Sequence, residues 1–107
     1  MITSTTTDVR RLSLLKPTGH LTLGNYLGAL RQMAREQQDA TCFFGIADLH
    51  ALTVTHDPAR LRSLVLDMQS LLLACGLDPD RCTMFVQSQV PAHSEQCFLL
   101  ESTAHVG

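Results

Sequence analysis

The residues best suited to chemistry lie in one short stretch between two predicted elements. The stretch runs over residues 17–25, and Thr22, Gly24 and Asn25 within it carry the candidate chemistry. Backbone N–H groups at a helix N-terminus attract anions, and a glycine lets a flat ligand approach the backbone closely. The stretch therefore predicts a nucleotide or phosphate site, with neutral hydrogen bonds from the threonine and asparagine side chains. It contains neither G-x-x-x-x-G-K nor G-x-G-x-x-G, and an ordinary strand–helix connection with a glycine turn is the alternative.

Apolar runs and turn residues predict three strands and three helices that would position this stretch. The predicted strands span residues 10–15, 41–47 and 82–87. The predicted helices begin at Tyr26, Pro58 and Pro91, and the last two end near Cys75 and Ala104. Asp57 before Pro58 is typical of a helix N-cap followed by a first-turn proline, and Gly76 stands where a helix-ending glycine belongs.

The alternation of strands and helices predicts an α/β fold with a Rossmann-like parallel sheet. Its β-α-β-α-β-α order is one half of a doubly wound domain. Ligands on such sheets bind outside the carboxyl ends of the strands, where the loops 16–25, 48–56 and 88–93 are expected. Residues 1–9 are expected to form a flexible leader, and residues 10–107 to form the domain.

Charge and cysteine content narrow the function classes. The chain carries 8 Lys and Arg residues against 10 Asp and Glu residues, which leaves no strongly basic patch for nucleic acid. The 4 cysteines lack zinc-site spacing, so no protein-bound metal is expected, and Cys42 and Cys82, which lie in apolar runs, are predicted to be reduced core thiols. The sequence shows no apolar signal segment and no run of membrane-spanning length, which predicts a cytoplasmic protein without membrane contact.

Three motifs, at residues 13–30, 43–53 and 78–93, occur in an order that resembles that of bacterial tryptophanyl-tRNA synthetases. S-x-x-x-P-T-G-x-L-T-L-G-N-Y-L-G-A-L, from Ser13 to Leu30, resembles the family's first strand and its T-[IL]-G-N form of the class I signature. F-F-G-I-A-D-L-H-A-L-T resembles its D-x-H-A-[IL]-T segment, and D-P-D-R-C-T-M-F-V-Q-S-Q-V-P-A-H resembles its third strand and the following loop. The resemblance covers residues 12–107, and three ordered motifs are far more specific than one T-L-G-N.

The resemblance implies the chemistry of a tryptophan–tRNA ligase. Such an enzyme joins the tryptophan carboxylate to the α-phosphate of ATP, with loss of pyrophosphate, and then transfers the aminoacyl group to tRNA. Catalysis is mainly positioning and stabilisation of phosphate charge, because the carboxylate is already a nucleophile. By this resemblance Thr22 and Asn25 are catalytic residues that face the phosphates. The implied ATP-binding residues are Lys16, Pro17, Thr18, Gly24 and Asn25.

The resemblance also implies an amino-acid pocket. His50 matches a family histidine close to that pocket, with a solvated loop cap as the alternative, and Asp48 is expected to orient His50 or to cap the loop. His93 is expected to have a structural role at a helix start. The remaining histidines, His20, His56 and His105, are expected at the surface.

Two residues depart from the family pattern near the implied site. Leu14 stands where the family has glycine, and it is expected to narrow the substrate pocket. Lys16 replaces a glutamine, and its charge is expected to favour ATP binding. The family's K-M-S-K-S loop does not occur in these 107 residues, so the resemblance implies an amino-terminal portion of the enzyme.

The implied ligands are ATP, with Mg²⁺ on its phosphates, and tryptophan; the implied partners are tRNA, mostly through other parts of the enzyme, and a second copy in a homodimer. Tyrosine is the nearest rival amino acid. Three alternatives stay open: a non-catalytic synthetase-like remnant or paralogue that binds ATP or a protein partner, another class I-like nucleotidyltransferase, and an interaction module that pairs through apolar helix faces.

Overall fold

A parallel three-stranded sheet is the centre of the fold. The computed structural model describes residues 8–105. The strands, in sheet order, are β1 (Arg10–Leu15), β2 (Thr41–Ile46) and β3 (Cys82–Val86). Both neighbouring pairs are parallel, which confirms the predicted α/β class with a Rossmann-like half-sheet.

Helices connect the strands and follow the last one. The first helix, α1, has three consecutive segments: Leu23–Asn25, a π-helical turn Tyr26–Leu30, and Arg31–Glu36. The others are α2 (Asp48–Ala51), α3 (Pro58–Ala74), a 3₁₀ turn (Gln87–Gln89) and α4 (Pro91–Thr103). Asp57 caps α3 by accepting a hydrogen bond from the Ala59 N–H at 3.0 Å, and Gly76 after it has a φ of 100°, as the sequence predicts.

All three predicted loops, 16–25, 48–56 and 88–93, contain helical residues in the structure. Helix α1 begins at Leu23 rather than at Tyr26, because the Thr22 side chain supplies an N-cap earlier in the chain. Short helical turns also occur within the predicted loops 48–56 and 88–93. Of the predicted leader 1–9, residues 1–7 lie outside the described part of the chain, while Thr41 hydrogen-bonds to the Asp8 side chain and to the Val9 carbonyl.

The core lies on one face of the sheet. Helices α1 and α3 both pack there, because successive right-handed crossovers between neighbouring strands place their helices on the same side. The core consists mainly of Leu30, Met33, Cys42, Phe44, Ile46, Met68, Leu72, Leu77 and Cys82. The opposite face is open, and Leu12 on it is 62% exposed.

Apolar residues are also exposed on the helices, as expected for half of a doubly wound sheet. Helix α4 has no buried residue, and Phe98 on it is 70% exposed. Leu66 on α3 is similarly exposed, at 63%. These surfaces would be costly to leave in water and are typical of contact surfaces.

The buried, free thiols of Cys42 and Cys82 confirm the prediction of reduced core thiols at these two positions. All four are free; Cys42 and Cys82 are buried, Cys75 is partly buried, and Cys97 is exposed. Burial raises the pKa of the Cys42 and Cys82 thiols, which makes them poor nucleophiles. In residues 8–105, no helix is long and apolar enough to cross a membrane.

Leu14 packs in a row that crosses the open face of the sheet. In register it pairs with Gly45, which pairs in turn with Phe85. A Cβ atom on Gly45 would lie 2.6 Å from the Phe85 ring and 3.0 Å from Leu14 Cγ. The glycine therefore leaves the space that both larger side chains fill, and this contact locates Leu14 beside β2.

Candidate functional site

The predicted ATP-binding turn follows β1 directly at the carboxyl edge of the sheet. Pro17 is buried, Lys16 is partly buried and Thr18 is exposed. The Thr18 N–H donates to the Lys16 carbonyl at 3.0 Å, which tightens the turn. Strand β1 thus places the chain's only lysine at the edge where ligands of parallel sheets bind.

Thr22 and Asn25 form a reciprocal cap at the start of α1. Asn25 Oδ1 accepts hydrogen bonds from the Thr22 N–H at 2.9 Å and from Thr22 Oγ1 at 2.8 Å. The Asn25 N–H in turn donates to Thr22 Oγ1 at 3.4 Å. The structure therefore brings the two predicted catalytic side chains together, and the cap holds them in a defined orientation.

Gly24 lies between these two residues in the sequence, and no contact within residues 8–105 requires a glycine there. Its φ is not positive. A Cβ atom there would meet only Thr22 Oγ1 among the described residues, at an ordinary 3.6 Å. Because a helix is more stable with alanine than with glycine, the missing side chain is better explained by something that approaches from outside.

A small cleft of about 240 Å³ lies beside the predicted ATP turn. Pro17 and Thr18 line it from the turn after β1, and His56, Asp57 and Arg60 line it from the residues that lead into the first turn of α3. His56 is exposed, as predicted, and its Nδ1 lies 3.0 Å from the Val54 carbonyl oxygen. Arg60 adds a cation to this cleft that was not among the predicted site residues.

The structure supports one of the two roles predicted for Asp48. Its Oδ1 accepts hydrogen bonds from the Leu49 N–H at 3.0 Å and from the Ser88 N–H at 2.9 Å. Both partners are backbone groups, so Asp48 caps its loop. Among the described residues its side-chain hydrogen bonds do not include His50, which is exposed and two residues further along α2.

A larger cleft of about 620 Å³ opens next to His50. Gln87 and His93 line it together with residues of α4. The buried Oε1 of Gln87 and Nδ1 of His93 have no hydrogen-bond partner in residues 8–105. The sequence indicated only a structural role for His93, whose ring packs edge-on against Phe85 at a centroid distance of 5.7 Å and lies in the first turn of α4.

The carboxyl edge thus gathers most of the predicted site residues. The turn after β1, the cap of α1 and the Asp48–His50 segment all lie along it. His20 and His105 are exposed, as expected for surface residues. In the described range 8–105, no three His, Cys, Asp or Glu side chains are close enough to hold a metal ion.

Comparison with known proteins identifies the family of this chain. The family model for tRNA synthetases class I (W and Y) matches residues 4–107. Tryptophan–tRNA ligase 1 of Streptomyces coelicolor is 56% identical over 99 residues, which are 92% of this chain and 30% of that protein. Tryptophan–tRNA ligase of Bacillus anthracis is 45% identical over 93 residues, 87% of this chain and 28% of that protein.

Solved structures show the same likeness. Tryptophanyl-tRNA synthetase of Mycoplasma pneumoniae superposes with a TM-score of 0.88 at 35% identity, over 92% of this chain and 29% of that one. The Campylobacter jejuni enzyme in complex with ADP and tryptophan gives a TM-score of 0.83 at 34% identity, over 88% of this chain and 30% of that one. The chain spans about 30% of the length of the curated relatives it matches. Since the family model covers nearly all of its residues, the chain belongs to the class I tRNA synthetases for W and Y.

Proposed function

We propose that this chain is the amino-terminal, ATP-binding portion of a tryptophan–tRNA ligase. The observation that carries the proposal is the T-L-G-N segment at the carboxyl edge of β1, in which the side chains of Thr22 and Asn25 cap each other around Gly24. The relatives named as tryptophan–tRNA ligases, at 45% and 56% identity, make tryptophan the first amino acid to test.

The proposed reaction is attack of the tryptophan carboxylate on the α-phosphate of ATP, with pyrophosphate as the leaving group. Thr22 and Asn25 are proposed to face the phosphates, and Gly24 to lie against the adenosine. The partly buried Lys16 supplies a cation beside the phosphates, as does the nearby Arg60. These groups would stabilise charge that develops on the leaving pyrophosphate.

The amino acid is proposed to lie further along the same edge, in the cleft beside His50. This cleft is large enough for an indole side chain, at about 620 Å³. Strands β1 and β2 are neighbours, so the loop that holds ATP and the loop that holds the amino acid are adjacent. That adjacency is the arrangement the attack requires.

Further ligands follow from the proposed reaction. Mg²⁺ is proposed to enter with ATP on the phosphate oxygens, because Mg²⁺ is commonly held by substrate phosphates. Transfer to tRNA and a cytoplasmic location are proposed for the whole protein, since the ligation serves translation. Assembly as a homodimer is proposed as well, because apolar residues such as Leu66 and Phe98 are exposed on the helices.

The test is tryptophan-dependent exchange of pyrophosphate into ATP, with tyrosine as the matched control amino acid. Exchange with tryptophan alone supports the proposal, and exchange with tyrosine alone would move it to the other branch of the family. Binding of ATP without exchange would instead support the synthetase-like remnant. Binding of neither ATP nor tryptophan would leave the interaction module.

A further inference from the structure

Asp48 connects two loops that are distant in sequence but adjacent at the carboxyl edge of the sheet. Its Oδ1 accepts one hydrogen bond from the Leu49 N–H at 3.0 Å and another from the Ser88 N–H at 2.9 Å. Leu49 lies in α2 after β2, whereas Ser88 lies in the 3₁₀ turn after β3, 40 positions beyond Asp48. A single carboxylate oxygen therefore joins the two loops.

The same two loops line the cleft beside His50. His50 and Leu49 contribute from α2, and Gln87 contributes from the 3₁₀ turn. Gln87 is the direct neighbour of Ser88, and His50 is two residues from Asp48. The hydrogen bond between Asp48 and Ser88 therefore ties together the loops that carry these two side chains, just beyond the last paired residues of β2 and β3, Ile46 and Val86.

Within the described residues, few other polar side-chain contacts join the loop after β2 to the loop after β3. Gln87 Oε1 is buried without a hydrogen-bond partner in residues 8–105. The Val90 N–H donates to the Gln87 carbonyl at 3.0 Å, but this bond closes the 3₁₀ turn on itself. Hydrogen bonds from backbone N–H groups to a carboxylate are charge-assisted and stronger than those between neutral groups, so Asp48 is the main polar tie across the gap.

We propose that Asp48 is a positioning residue for the amino-acid substrate, acting through the Ser88 N–H to set the distance between His50 and Gln87. This inference rests on the proposed function, because that function makes the cleft the tryptophan site. In this role Asp48 does not contact the substrate but acts on it indirectly, by positioning the two loops that it joins. ATP lies in the loop after β1 under the same proposal, so its binding does not depend on this link.

Three variants of Asp48 separate the two hydrogen bonds. Asp48→Ala removes the oxygen that accepts both bonds, and Asp48→Asn keeps an oxygen that can accept them. In Asp48→Ser the hydroxyl can still accept the bond from the Leu49 N–H, but the side chain is too short to reach Ser88. This variant replaces Asp48→Ala in the test if the alanine variant does not fold. The matched control is Asp78→Ala: Asp78 is also partly buried and accepts a bond from a backbone N–H, that of Asp80 at 3.0 Å, but it lies before β3 at the opposite edge of the sheet.

The first measurement is amide hydrogen exchange and chemical shift in the full chain by NMR. In Asp48→Ala, the Ser88 amide is expected to exchange at least about tenfold faster, as fits the loss of one hydrogen bond to a charged acceptor. The resonances of His50 and Gln87 are expected to shift with it. Asp48→Asn is expected to restore both readouts, and Asp78→Ala to leave them unchanged.

The second measurement is titration of the same variants with tryptophan and, separately, with ATP and Mg²⁺. Asp48→Ala is expected to weaken tryptophan binding about tenfold and to leave ATP binding within about twofold, on the same estimate. Tryptophan binding that is unchanged in Asp48→Ala, or equally weak in Asp48→Asn, would overturn the inference. If the unmodified chain binds no tryptophan, the proposed function fails, and unshifted His50 and Gln87 resonances in Asp48→Ala would then separately overturn the positioning role.

Discussion

Replacement of Gly24 by alanine should separate the stability of this fold from its nucleotide binding. The added Cβ would have one neighbour within the described chain, Thr22 Oγ1 at 3.6 Å, which is an ordinary contact. Alanine in place of a helical glycine stabilises by about 0.5–1 kcal/mol, so the free energy of unfolding is expected to stay equal or to rise by up to that amount. The same atom would occupy the space proposed for adenosine.

For ATP binding, the same substitution is expected to be unfavourable, whereas its effect on the free energy of unfolding is neutral or favourable. Forcing a methyl group into a filled contact typically costs about 1–3 kcal/mol, which corresponds to roughly 5- to 150-fold weaker binding. Urea denaturation measures the change in the free energy of unfolding. Titration of the chain with ATP and Mg²⁺, monitored through the backbone amide chemical shifts, measures the ATP affinity even when binding is weak.

Gly28→Ala is the matched control for this experiment. Gly28 lies in the π-helical turn of the same helix, and a Cβ atom on it would meet nothing within 4 Å. It is therefore expected to keep or increase stability without any change in ATP affinity. The reasoning is refuted if Gly24→Ala binds ATP as tightly as the unmodified chain, or if it loses stability while Gly28→Ala does not.

Three further predictions concern other parts of the structure. Lys16→Ala is expected to weaken ATP binding roughly two- to fivefold, an effect that shrinks in high salt, because a partly exposed ion pair contributes at most about 1 kcal/mol; unchanged affinity at low salt would contradict it. Gly45→Ala is expected to lower the free energy of unfolding by about 1–3 kcal/mol in urea titrations, because its Cβ would lie 2.6 Å from the ring on β3; a stability equal to that of the unmodified chain would argue against this packing. The Glu101 carboxylate raises the pKa of the exposed Cys97 thiol by disfavouring the thiolate, so Glu101→Gln is expected to lower that pKa and to speed alkylation of Cys97 near pH 8. A rate of alkylation that does not change with this substitution would show that the carboxylate does not control the thiol.

The positions of the strands and long helices could be predicted because their signals are local. The predicted strand 10–15 coincides with β1, and the predicted start of α3 at Pro58 is correct because the Asp57 cap and the proline act within one turn. The predicted start of α1, Tyr26, lies three residues beyond the observed one, because the Thr22 side chain, predicted only as a ligand group, also caps the helix through Asn25.

The candidate site also contains features that the sequence predicts and one feature that it does not. Lys16, Thr22 and Asn25 could be assigned to one edge of the sheet, since loops after parallel strands share that edge. The link from Asp48 to Ser88 could not be predicted, because its acceptor and donor are 40 residues apart and a backbone N–H leaves no mark in the sequence.

By itself, the sequence determined the β-α order, the element that carries each candidate residue, and the family whose motifs those residues match. Hydrophobic periodicity, caps and turn residues are sufficient for this, because they act over a few positions of the chain. Only the tertiary structure decided that one face of the sheet stays open, that Gly45 leaves room for Leu14 and Phe85, and that Asp48 joins the loops after β2 and β3. Each of these features depends on contacts between strands that are distant in sequence, where the register of the sheet determines which side chains meet.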